Sequence, residues 1–253
     1  MLKRIIPILL LRDGRCVKGV QFSQNFRDTG NPVSAAKVYD AQKADELIFL
    51  DVNTKKEGTK LLYEIITEVA EQCFMPITVG GGIRTLEQVR TLFRVGADKI
   101  SLNTGAVRTP RLVADASKYY GSQSIVVSID VKKNGDSYEV YTENATKKTG
   151  MKPCFWAKEA VRLGAGELLI TSIDREGTMK GYDLKLMSEL TKKVNVPVIA
   201  NGGCGKLHHL KEVFLNAEVQ AVAVSSMFHF TDQSTIKARS YLKVEGIDVR
   251  PII

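Results

Sequence analysis

Two stretches of this chain are close copies of two others. Ile77-Thr78-Val79-Gly80-Gly81-Gly82 recurs as Val198-Ile199-Ala200-Asn201-Gly202-Gly203, and Glu46-Leu47-Ile48-Phe49-Leu50-Asp51 recurs as Glu167-Leu168-Leu169-Ile170-Thr171-Ser172, each displaced by about 121 residues. That spacing is nearly half of the 253 residues, far too long for a solenoid, and a doubly wound sheet has no reason to repeat after four βα units. Short apolar runs rich in β-branched residues alternate with longer amphipathic stretches throughout, the pattern of βα units around a parallel sheet. Runs starting near Arg4, Glu46, Ile77, Asp98, Ser124, Glu167, Val196 and Gln220 make eight strands. A doubled half-barrel follows: one α/β domain over residues 1–253, a (β/α)8 TIM barrel.

Helix signals lie between the strands. In residues 85–93, Leu86, Val89, Leu92 and Phe93 share one face, Thr85 can cap the start, and Gly96 ends the helix. Two insertions break the rhythm: a polar, irregular stretch from Lys18 to Asn31, and a hairpin around Asn134-Gly135 with Tyr138, Val140 and Thr142. Long loops after barrel strands usually shape the active site.

Composition removes several classes. No apolar run approaches the roughly 18 residues that span a bilayer, so a soluble, cytoplasmic protein is expected. Cys16, Cys73, Cys154 and Cys204 form no C-x-x-C pair, and only His208, His209 and His229 are available, which argues against a zinc site, a disulfide framework and a histidine-based triad. The net charge of +8 comes from basic residues scattered among acidic ones with no aromatic-basic motif, so it points to a solvated surface or a basic mouth for a phosphorylated metabolite, not to nucleic acid.

The Gly-Gly pairs at the ends of the third and seventh strands let backbone N–H groups approach a ligand. Each is followed by a strand ending in small polar residues, Asn103-Thr104 and Ser225-Ser226. Two related copies on one barrel mouth suggest a ligand with a phosphate at each end. Asp130 ends the fifth strand and Asp51 the second, so both are candidate acid or base groups, with a turn-capping carboxylate as the structural alternative. Stepping back about 120 residues from Asp130 lands on Leu10, and a leucine cannot exchange a proton.

Arg12-Asp13-Gly14-Arg15, Val17-Lys18-Gly19, Phe49-Leu50-Asp51, Val79-Gly80-Gly81-Gly82-Ile83, Gly96-Ala97-Asp98-Lys99, Ile129-Asp130 and Thr171-Ser172-Ile173-Asp174-Arg175 resemble the cyclase subunit of imidazole glycerol phosphate synthase over nearly the full length. The resemblance implies a lyase of histidine biosynthesis that takes ammonia from a separate class I glutaminase subunit and adds it to a bisphosphorylated nucleotide, without cofactor or metal. It implies Asp130 as one of two catalytic aspartates and Lys18, Asp51, Thr171 and Glu176 as substrate contacts. Gly82, Asn103 and Thr104 would hold one phosphate, Gly203 and Ser225 the other, while Arg4, Glu46, Lys99 and Glu167 would gate ammonia at the opposite face. Three positions depart from the family pattern: Leu10 for the other aspartate, Glu176 for a usual aspartate and Asn201 for a common serine.

An intact gate beside a broken catalytic pair suggests an ammonia-accepting synthase subunit whose chemistry has diverged, resembling paralogues that supply ammonia to a sugar amidotransferase in surface-polysaccharide synthesis. The ordinary cyclase of histidine biosynthesis, a non-catalytic scaffold that activates its glutaminase, and the related isomerase are the alternatives.

Overall fold

A computed structural model describes residues 2–53 and 58–251. Alternation along the first strand, β1 (Arg4–Arg12), explains the architecture: Ile5, Leu9 and Leu11 pack outward among helices, while Ile6 and Ile8 join a separate inner cluster with Ile48, Val126, Leu169 and Ile199. A strand buried on both faces needs cover on both, and a closed parallel sheet wrapped in helices supplies it.

Seven of the eleven further strands complete that closed barrel. In chain order the strands are β2 (Arg15–Lys18), β3 (Arg27–Gly30), β4 (Leu47–Asp51), β5 (Ile77–Gly80), β6 (Lys99–Leu102), β7 (Ile125–Asn134), β8 (Ser137–Thr142), β9 (Lys147–Lys148), β10 (Glu167–Ser172), β11 (Val198–Asn201) and β12 (Ala221–Val224). Parallel pairing runs β10-β11-β12-β1-β4-β5-β6-β7, and β7 pairs back onto β10, which closes an eight-stranded barrel. The strands begin within two residues of the positions expected from the apolar runs.

The helices are α1 (Pro32–Ala41), α2 (Gly58–Gln72), α3 (Leu86–Arg94), α4 (Thr104–Arg108), α5 (Arg111–Tyr120), α6 (Pro153–Arg162), α7 (Leu184–Thr191), α8 (Leu207–Asn216), α9 (Ser226–Phe230) and α10 (Thr235–Val244). Thr85 caps α3 through a capping box with Gln88, and Val89 and Leu92 are fully buried on its inner face. Gly96 then turns the chain at φ 111°, where a Cβ would stand 2.3 Å from that of Ala70.

The half-barrel repeat extends to fine detail. Asn103 before α4 (φ −121°, ψ −95°) and Ser225 before α9 (φ −125°, ψ −77°) share a backbone conformation, and each precedes a helix of five residues. The insertions differ from their expectations in one respect. Residues 134–137 form the expected two-residue hairpin, with Asn134 paired to Ser137. The stretch from Lys18 to Asn31, expected to be irregular, contains β3, antiparallel to β2, because its polar residues pair main chain to main chain without burying a face. No helix among the described residues is long and apolar enough to cross a membrane.

Candidate active site at the C-terminal mouth

Residues that point inward stack in layers from one end of the barrel to the other. At the N-terminal end, Arg4 reaches Glu46 (3.0 Å) and Glu167 (2.9 Å), and Lys99 reaches the same two carboxylates (2.8 and 3.2 Å). These four form a closed ring of alternating sign, and Thr78 adds a hydroxyl donor to Glu46. Above the ring lies the inner apolar cluster. Above that, at the C-terminal ends of the strands, opens a cavity of about 420 Å³.

Asp130 stands on one wall of this cavity, buried, and accepts a hydrogen bond from Asn103 Nδ2 at 2.7 Å. Burial pushes its carboxyl up to about 7, against the opposing pull of hydrogen bonds from Asn103 and Thr171. Asn201 donates to Thr171 Oγ1 (3.0 Å), which leaves the Thr171 hydroxyl proton to point at Asp130. A carboxyl held near 7 suits proton exchange at neutral pH.

Strand order places β1 four strands from β7 in either direction, so Leu10 faces the cavity diametrically across from Asp130. Leu10 lies beside Leu50 in the register and makes that wall apolar. Asp51, at the end of β4, also lines the cavity, and burial raises it to about 6 while the Asn53 backbone N–H donates to it at 2.8 Å.

Lys18 and Glu176 meet as a buried ion pair at the mouth. Burial lowers Lys18 to about 8. The backbone N–H of Gln21 donates to Glu176 O (3.0 Å), so the loop after β2 rests on the loop after β10. Ser225 also borders the cavity, and its hydroxyl is buried without a partner among the described residues.

Of the residues singled out from sequence, Lys18, Asp51, Gly82, Asn103, Thr104, Asp130, Thr171, Glu176 and Ser225 all line this one cavity, as does Leu10. Gly203 does not. It sits behind the wall, where a Cβ would lie 2.1 Å from Gly181 O. Several polar residues of the cavity were not anticipated, among them Arg84, Arg108, Glu143 and Asn144. The last two belong to the turn between β8 and β9, and the hairpin insertion was the sequence signal that could have drawn attention to them.

Among the described residues, one grouping of histidine and carboxylate side chains has donor atoms within 4.8 Å of one another: His208, His209 and Glu212, on α8. His209 Nδ1 already accepts from the backbone N–H groups of Gly205 and Lys206, so its other nitrogen carries the proton and offers a metal no lone pair.

The profile of the family described as "Histidine biosynthesis protein" matches residues 4–234. Curated relatives include "Imidazole glycerol phosphate synthase subunit HisF" of Exiguobacterium sibiricum, 49% identical over 250 residues, covering 99% of this chain and all of the relative. Proteins of the same name from Bacillus licheniformis and Geobacillus thermodenitrificans are 46% and 47% identical, with 98% of this chain and 99% of each relative covered. The mouth cavity and the charged ring therefore sit in a barrel of known descent: this chain belongs to the histidine biosynthesis protein family, on the branch of the HisF synthase subunits.

Proposed function

We propose that this chain is the ammonia-accepting synthase subunit of an imidazole glycerol phosphate synthase type of complex, a lyase that works with a class I glutaminase and acts on a bisphosphorylated substrate. The observation that carries the reading is the stacking of three features on one axis: a charged ring, an inner apolar layer, and a cavity lined by Asp130 and the Gly81-Gly82 loop. Ammonia that enters at the ring meets aliphatic side chains next. Such an interior favours neutral NH3 over ammonium, because an unpaired ion there would lose its hydration.

Within the cavity each residue has a separate task. Gly82, Asn103 and Thr104 hold one phosphate, and Ser225, whose buried hydroxyl is without a partner among the described residues, marks the place of the other. Lys18 and Asp51 border the substrate between them. Asp130 takes or returns a proton as ammonia adds and the ring closes, with Asn103 and Thr171 fixing its orientation. A cyclisation that needs a second proton-handling group on the far wall finds Leu10 there.

That substitution favours a second reading, in which the ammonia goes to a different acceptor and supports sugar amidination beside a sugar amidotransferase in surface-polysaccharide synthesis. The full-length likeness to proteins named as histidine-pathway synthase subunits favours the first. Complementation of a cyclase-deficient histidine auxotroph separates them: full growth supports ring closure as the working reaction, and no growth supports a diverged acceptor. Both readings require a glutaminase. Mixing the purified barrel with a class I glutaminase is expected to stimulate glutamine hydrolysis, and no complex with any such subunit would end both.

A further inference from the structure

The end of the cavity at Gly82, Asn103 and Thr104 has a charged rim that this assignment leaves unused. Arg84 and Arg108 both border it, and among the described residues Arg84 makes no ion pair. Arg108 is held by Glu143, Nη2 to Oε1 at 2.5 Å. Glu143 lies in the β8–β9 turn, which crosses the mouth: its backbone N–H donates to Thr104 Oγ1 (3.0 Å), and Asn144 Nδ2 donates to Val52 O on the β4 side (3.3 Å). Glu143, Asn144 and Ala145 are all left-handed, with φ of 56°, 54° and 64°, an arrangement non-glycine residues adopt only when their surroundings enforce it. Thr146 closes the turn through the Glu143 carbonyl at 2.6 Å.

The hydrogen bond from Arg108 keeps the Glu143 carboxyl below its usual range, so it is anionic at neutral pH. A carboxylate fixed between a guanidinium and a phosphate cradle presents the geometry and charge that a phosphate would present to the same guanidinium. Resting on the proposed function of this cavity, we propose that Arg108 is a phosphate ligand of the Gly82–Asn103–Thr104 end, and that Glu143 competes for it and thereby sets how tightly this end holds a phosphomonoester. Arg84 supplies the second positive charge. Lys18, the other cation that lines the cavity, is engaged differently, buried against Glu176.

Calorimetric titration of the full chain with inorganic phosphate tests this. E143Q is expected to bind about two- to fivefold tighter, the range set by releasing one half-exposed ion pair. R108A is expected to bind roughly tenfold weaker, and R108K to fall between, since lysine keeps the charge and loses the fork. The gain from E143Q should vanish when combined with R108A, which ties it to that guanidinium. Equal or weaker binding by E143Q overturns the competition, and unchanged binding by R108A overturns the ligand role, while N103A still weakens phosphate in either case. If wild type binds no phosphate, or N103A leaves its binding unchanged, the cradle assignment itself fails and this inference falls with it.

Discussion

Burial decides the chemistry of Asp130 more than any single partner does. Its folded value near 7 lies above the ordinary carboxylate value of 3.8, so the stability contributed by the protonated form is full below about pH 4 and is lost as pH rises through 7. Asn in its place avoids that loss while still accepting from Asn103. The stability difference between D130N and wild type, read by denaturant titration, should therefore move in favour of D130N from pH 4 to pH 8.5, by at most about 4 kcal/mol. A difference that stays constant with pH contradicts the account. The position of Asp130 was legible in the sequence, because a carboxylate after the buried run 125–129 of a repeated barrel falls at the C-terminal mouth, although β7 itself continues to Asn134. Its environment was not: Asn103 and Thr171 reach it from the two strands that flank β7, and such lateral contacts depend on register rather than on spacing along the chain.

Among elements, the strand-to-helix turns carry the site. Gly81 (φ 111°) lies so close to β4 that a Cβ would meet Asp51 O at 2.2 Å and Asp51 N at 2.6 Å. G81A should cost about 2 kcal/mol or more in stability and weaken phosphate binding, since the turn must move off β4 to make room. Equal thermal midpoints for G81A and wild type would show the approach to be unimportant. These turns were visible in advance as Gly-Gly pairs after β-branched runs. The β8–β9 turn was less so, because Glu143-Asn144-Ala145 holds no glycine and its conformation comes from Thr104, Val52 and Arg108, all distant in sequence. For the same reason β3 was missed: its pattern is polar, and only its partner strand makes it a strand.

At the scale of the whole molecule, the two ends of the barrel are linked by one axis. The ring of Arg4, Glu46, Lys99 and Glu167 was legible as charges at four strand starts, and its closure by four ion pairs follows from the register that brings those starts level. Removing Lys99 leaves both glutamates with one cation between them, so K99A should lower stability and, on the proposed function, let ammonia leak from a complex with a glutaminase. The expected result is glutamine hydrolysis in the complex that outpaces ammonia use, whereas a tight one-to-one coupling in K99A would argue against a gate.

Further up that axis the account turns on Leu10. The direct measurement is the rate of imidazole ring closure from free ammonium by the isolated barrel, side by side with the Bacillus licheniformis relative and with L10D. The account predicts a rate about 10²–10⁴-fold below that of the relative, partly restored in L10D, because a positioned acid or base is absent from one wall. Ring closure by wild type as fast as the relative, with no gain from L10D, would contradict it.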